Sequence, residues 1–151
     1  MKVVLLNLLK NIGGSKKTPP IVVPNPQTIP AKKILVVEDE EALRQLYIEV
    51  LSQEGFEVKG AENGQVALSL IPQFQPNLIL LDLMMPVMDG KQLLRNMNDQ
   101  EQMKLIPVIV LTNAGDVDSM REVKFYGNAK TFLIKANVTP LDIVNSVKTL
   151  A

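Results

Sequence analysis

The 151-residue sequence contains no cysteine and no histidine. The first absence excludes disulfides, thiolate metal sites and cysteine nucleophiles. The second excludes His-based triads, His-ligated metals and any autophosphorylating histidine within the chain. No apolar run approaches the ~20 residues that a membrane-spanning helix needs. Charge of either sign is not in excess: 16 basic residues meet 16 acidic ones, so no basic surplus points to nucleic acid. What is present is 46% hydrophobic and 21% charged residues. That is enough to build a packed core and too apolar for wholesale disorder. The length suits one domain with a short appendage.

The zero net charge hides an asymmetry. Residues 1–30 hold Lys2, Lys10, Lys16 and Lys17 and no acid, a charge of +4, while the other 121 residues hold 12 basic and 16 acidic residues, a charge of −4. Five of the ten prolines (Pro19, Pro20, Pro24, Pro26, Pro30) fall within residues 19–30. Proline fixes φ and lacks a backbone donor, so this stretch reads as an extended linker. The domain boundary is therefore placed near Ala31, with a basic, apolar segment and linker over 1–30 and a folded domain over 31–151. Within Met1–Ile12, Asn7, Lys10 and Asn11 form a narrow polar stripe at helical spacing, and Gly13-Gly14 would stop such a helix. A signal peptide is disfavoured, because Asn7 and Lys10 interrupt the apolar stretch and no small-residue cleavage pattern follows. An amphipathic segment docking on a partner, a membrane surface or another copy is the sharper reading. A frayed tail is the default.

From Lys33 onward the pattern is regular. Ile34–Val37, Leu78–Leu81 and Val108–Leu111 are short aliphatic runs suited to strands buried on both faces. Phe56–Ala61 is a less apolar strand, expected nearer an edge, and Thr131–Ile134 is the fifth. Between them, helices are expected over Glu40–Gln53 (closed by Gly55), Gln65–Ile71 (stopped by Pro72), Lys91–Asn98 and Asp116–Tyr126 (ended by Gly127). A last helix runs to Leu150, with Thr139 as its cap and Pro140 at its first position. Strict βα alternation argues an α/β, doubly wound parallel sheet of five strands with helices on both faces. In such folds, ligands bind at the carboxyl ends of the strands.

Those ends carry chemistry. Glu38 and Asp39 follow the first strand, Asp82 the third, Thr112 the fourth and Lys135 the fifth. Clustered carboxylates favour protonation unless a cation neutralises them. An all-oxygen donor set without His or Cys suits a hard ion, above all Mg²⁺. Lys135 offers a point charge to a carboxylate or phosphoryl oxygen, and Thr112 offers one hydrogen bond. Asp82 would be a nucleophile forming an acyl phosphate, with the surrounding groups positioning the phosphoryl and neutralising its charge. Each residue alone has a plainer reading: Glu38–Glu41 as acids near a helix start, Asp82 as a turn acid, Thr112 as a β-former, Lys135 as a solvated lysine. The joint arrangement at four strand ends outweighs them.

Ile34–Glu41 (ILVVEDEE), Leu78–Gly90 (LILLDLMMPVMDG), Val108–Thr112 (VIVLT) and Phe132–Lys135 (FLIK) resemble the receiver domain of two-component response regulators, of the stand-alone, chemotaxis-regulator-like type. The resemblance runs from about Lys32 to the C-terminus. It implies a flavodoxin-like strand order, 2-1-3-4-5. It implies that Asp82 is the phosphoacceptor and that Asp39, Asp82 and the Met84 carbonyl ligate Mg²⁺, with Glu38 acting from beside them, often through water. Thr112 and Lys135 would hold phosphoryl oxygens, Phe132 would be the aromatic switch coupled to Thr112, and Pro86 and Gly90 would shape the turn after the acceptor. Three positions depart from the family pattern. Glu38 replaces the commoner Asp, Asn113 stands where a small residue is usual, and Ala136 replaces a proline that is usually cis. A cis bond without proline costs about 2.5–4 kcal/mol, so a trans bond and a reshaped loop are expected after Lys135.

The resemblance further implies a cytoplasmic phosphoprotein in a phosphorelay, not an enzyme acting on outside substrates. The donor would be a sensor histidine kinase or phosphotransfer protein. No output domain is expected after the last helix, so signalling would proceed through a docking face at about Asp116–Leu150 onto an output protein, without nucleic acid. Met84 and Ala114 occupy positions that in this family influence the hydrolytic water, which implies slow self-dephosphorylation. Three other classes compete with this reading. A phosphorylation-independent scaffold of the same fold would be marked by loss of Asp82, Thr112 or Lys135, and none is lost. A haloacid-dehalogenase-like phosphatase would need a second Asp at position 84, where Met stands. A dinucleotide-binding domain would need a glycine-rich turn after the first strand, and there is none.

Overall fold

Aliphatic runs too short for helices become strands here because both of their faces are covered. The computed structural model describes residues 30–151, so the readings of Met1–Ile12 and of the proline-rich stretch before Pro30 lie outside it. Five strands are formed: β1 (Lys33–Val37), β2 (Glu57–Ala61), β3 (Leu78–Asp82), β4 (Val108–Thr112) and β5 (Ala129–Ile134). They alternate with α1 (Glu41–Gln53), α2 (Gly64–Phe74), α3 (Gly90–Asn98), α4 (Val117–Val123) and α5 (Pro140–Leu150). All strands pair in parallel, in the order β2-β1-β3-β4-β5. The less apolar β2 lies at an edge, as its composition predicts.

Side-chain alternation divides the core into two layers. Leu35, Val37, Ile79, Leu81, Val108 and Val110 face α2, α3 and α4, meeting Ala67, Ile71, Leu93, Leu94, Met97 and Val123. Ile34, Val36, Leu78, Leu80, Ile109 and Leu111 face α1 and α5, meeting Tyr47, Leu51, Ile143, Val144 and Val147. Full burial of each such aliphatic side chain stabilises the fold by roughly 1.5–3 kcal/mol before entropy is counted. The chain leaves β1 toward β2 on one side and later returns to β3 on the other. The carboxyl ends of β1 and β3 therefore flank the point where the winding reverses, which is where an open α/β sheet leaves a crevice.

Two helix ends differ from the sequence expectation. Pro72 does not stop α2, which continues to Phe74. Phe74 is buried in the first core layer, and that burial holds the last turn in place despite the donor missing at Pro72. The terminator is Gln75, in the left-handed region with φ 52°. Conversely, α4 ends at Val123 rather than Tyr126. Beyond it, the N–H groups of Phe125 and Tyr126 reach only three residues back, to Glu122 and Val123, so the chain tightens into turns before Gly127. Elsewhere the signals act as read. Gly55 takes φ +89° after α1, and Thr139 caps α5 with Pro140 in its first turn.

Candidate functional site

The β1–α1 connection begins with Glu38, whose N–H donates to the Ala61 carbonyl at the end of β2 (3.0 Å). That bond carries Glu38 on as an extension of the sheet, and its side chain is fully buried. Asp39 follows and is exposed. Asp82 is the last residue of β3 and only 2% exposed. Lys135 follows β5 and begins a short 3₁₀ turn, Lys135–Asn137, built on trans peptide bonds. The trans bond expected after Lys135 is what forms.

These groups converge. One carboxylate oxygen from each of Glu38, Asp39 and Asp82 lies within 4.8 Å of the other two. Lys135 Nζ sits 2.7 Å from Glu38 Oε2 and 2.9 Å from Asp82 Oδ2. The Met84 N–H donates to Asp82 Oδ1 at 3.1 Å. Together they line an open hollow of about 520 Å³, whose wall also includes Glu40, Leu43, Met84, Asn113 and Ala136. Burial raises the Glu38 carboxyl above its ordinary value, and Asp82 adds to the rise against the pull of Lys135. Burial likewise raises Asp82, opposed by Lys135 and by the Met84 N–H. For Lys135 burial works downward, but its two carboxylate partners outweigh it and hold the ammonium above its ordinary value.

The donor set fits a hard divalent cation. Three carboxylates face one ammonium inside the hollow, leaving two negative charges uncompensated. Glu38 Oε2 is buried and has no hydrogen bond of regular geometry, only its ion pair with Lys135. All donors are oxygens, the preference of Mg²⁺ and Ca²⁺.

Thr112 and Phe132 lie beside the hollow rather than in it. Thr112 ends β4 and pairs with Ile134, next to Lys135. Its buried hydroxyl donates to the Asn113 carbonyl at 3.3 Å, because a buried hydroxyl takes the nearest acceptor available. Phe132 pairs with Val110, one pleat behind Thr112 on the same sheet face. It is half-buried against the first core layer, with the Lys124 ammonium 5.8 Å from its ring centre. Ala114 is exposed and does not line the hollow, whereas Asn113 does.

Sequence reading missed Arg44. From the start of α1 its guanidinium reaches back to the carbonyls of Glu38 (2.7 Å) and Asp39 (3.2 Å). The available signal was a cation near a helix N-terminus, where the helix dipole disfavours it.

Residues 34–148 match the family model of the response regulator receiver domain. The chain belongs to that family. The receiver is 38% identical over 96 residues to sporulation initiation phosphotransferase F of Bacillus subtilis, a match spanning 64% of this chain and 76% of that protein. It is 36% identical over 120 residues to the transcriptional regulatory protein SrrA of Staphylococcus aureus, spanning 80% of this chain but only 48% of SrrA. The chain thus aligns with about half of that relative's length. Among solved structures it is similar to the chemotaxis protein CheY4 of Vibrio cholerae. There the TM-score is 0.74 at 28% identity, covering 81% of this chain and 100% of that one. It is also similar to the receiver domain of a signal transduction histidine kinase from Syntrophus aciditrophicus. That comparison gives TM-score 0.72 at 31% identity, covering 80% of this chain and 89% of the other. The flavodoxin-like order implied by the resemblance is the order observed.

Proposed function

We propose that this receiver accepts a phosphoryl group on Asp82 from a phosphohistidine of a sensor kinase or phosphotransfer protein. In that transfer the P–N bond breaks, a P–O bond forms to an Asp82 carboxylate oxygen, and the imidazole leaves with the electron pair. The observation that carries the reading is the meeting of Glu38, Asp39, Asp82 and Lys135 in one hollow. These groups come from the ends of three different strands, and no core requirement draws buried like charges together.

The acidic trio, with the Met84 carbonyl, would hold Mg²⁺. When bound, the ion would supply charge neutralisation for a phosphoryl group in transit. The chain's own residues do the remaining work. The Met84 N–H fixes Asp82 Oδ1 and so orients the nucleophile. Lys135, already within ion-pair distance of Asp82, is placed to exchange a carboxylate partner for a phosphoryl oxygen. Thr112 would give up the Asn113 carbonyl for a second phosphoryl oxygen. In this reading that movement frees space one pleat behind, and the half-buried Phe132 ring would turn into it. The equilibrium of the α4–β5–α5 face would shift with it. Val117, Phe125 and Leu141 on that face are exposed, as suits docking on an output protein. The protein would act in the cytoplasm as a phosphoacceptor rather than as an enzyme on outside substrates; no helix among the described residues is long and apolar enough to cross a membrane.

The test is incubation with Mg²⁺ and acetyl phosphate, followed by intact mass measurement. One added phosphoryl group is expected on the native chain and none on Asp82→Asn. A native chain that stays unmodified, yet still binds its partners, would instead support a phosphorylation-independent scaffold. Once formed, the acyl phosphate is expected to decay slowly. Met84 is 54% exposed at the hollow's rim and has no side-chain charge to orient water. A Met84→Glu variant should lose its phosphoryl group faster.

A further inference from the structure

The β1–α1 loop is held from outside the hollow by one side chain. Arg44 lies at the start of α1, its own N–H bonded to the Glu40 carbonyl (2.9 Å). Helical side chains slant toward the N-terminus, so the Arg44 stem runs back over the helix start. There Nη1 meets the carbonyls of both Glu38 and Asp39. The stem has room because β2 carries Gly60. A Cβ at that position would come within 3.2 Å of Arg44 Cδ, 3.3 Å of its Cγ and 2.8 Å of Ile48 Cδ1. A guanidinium at a helix N-terminus opposes the helix dipole, and α1 has no side-chain cap of its own. The placement therefore does not serve the helix.

We propose that Arg44 is a positioning residue for the cation site: by fixing the peptide planes of Glu38 and Asp39 it aims their carboxylates at Asp82. Inside the loop the only tie from a side chain is that of Glu38 Oε1 to the Glu40 N–H, at 3.2 Å. Without Arg44 the exposed Asp39 would be freer to turn away under mutual repulsion and the pull of solvent, while Glu38 would keep its backbone bond to Ala61 and its ion pair with Lys135 but lose the tie on its carbonyl. The inference rests on the receiver reading of the hollow as a cation site.

The experiment is calorimetric titration of the full chain with Mg²⁺, alongside amide hydrogen exchange of residues 38–41 in metal-free protein. Three variants are compared: Arg44→Met, Arg44→Lys and Gly60→Ala. Loss of a group that orients metal ligands typically weakens binding about 10–100-fold, and Arg44→Met is expected to lose about tenfold, with faster exchange in the loop. Arg44→Lys keeps the charge but ends one bond short of the carbonyls, and should recover only part of the loss. Gly60→Ala leaves Arg44 in the sequence and displaces its stem, so it should shift affinity in the same direction by less. A mere structural brace would lower the melting temperature and leave Mg²⁺ affinity alone. Equal affinity in the native chain and Arg44→Met overturns the inference while the receiver reading stands. A native chain that binds no Mg²⁺ overturns both.

Discussion

Among the described residues, Val87 is a β-branched residue with a positive φ. It holds φ at +70° in the loop after Asp82, and a branched L-residue in the left-handed region loses about 1–2 kcal/mol. At 80% exposure its side chain recovers little by packing. Val87→Asn should therefore raise stability by about 1 kcal/mol, read as a higher urea midpoint at unchanged slope. From sequence, Met85 to Gly90 was recognisable as a turn, but nothing showed which residue would take the positive φ. Asp82 and Glu38 show a second residue-scale effect. Their carboxyls are raised above the ordinary 3.8 and 4.5, so the folded state binds protons more readily than the unfolded one. The stability this provides is full below the ordinary values and is lost as pH rises through the raised ones. Asp82→Asn removes part of that loss. In metal-free buffer its melting temperature should exceed that of the native chain, by a gap that widens as pH rises through this window.

Among the elements, the β3–α3 connection sets the acceptor's position. Gly90 begins α3, and its N–H donates to the Leu83 carbonyl (3.0 Å). A Cβ there would strike the Asp82 carbonyl and come within 2.8 Å of Leu83 Cα. Gly90→Ala should therefore push α3 off the end of β3, lowering both melting temperature and phosphorylation rate. The motif suggested a turn-shaping glycine; the close approach of backbone to backbone became visible only once α3 lay against β3. At α5 the local signal was complete. Thr139 and Asp142 form a reciprocal capping box, and Thr139→Ala should cost about 1 kcal/mol, measurable by chemical denaturation. At α2 the local signal misled, because burial of Phe74 outweighed the proline before it. At α4 the chain tightens into turns after Val123, although Tyr126 still packs against the first core layer.

For the molecule as a whole, the cation site and the fold are coupled through linkage. Anything that binds only the folded state stabilises it, by about 2.7 kcal/mol at a hundred times its dissociation constant. Mg²⁺ should raise the melting temperature of the native chain by a corresponding amount, and by clearly less in Asp82→Asn, which lacks one of the three carboxylates. Scanning calorimetry across a Mg²⁺ series checks both. The two core layers make this coupling possible. Aliphatic packing on both faces leaves the strand ends as the place where buried charge is tolerated, and the stability of the layers offsets its cost.

Strand and helix types, their order and the residues placed at the strand ends were all determined by sequence, because hydrophobic period and turn chemistry are local properties. So were the candidates for the acidic trio and its lysine, since each lies within two residues of the end of an aliphatic run. Tertiary structure decided what depends on distant segments meeting. It put Glu38 and Asp82 on the same ammonium and turned the Thr112 hydroxyl to Asn113. It laid the Arg44 stem over Gly60 and carried α2 past its proline. Each of these is a contact or a burial between segments separated along the chain, and no local pattern records how far a side chain reaches or what it finds there.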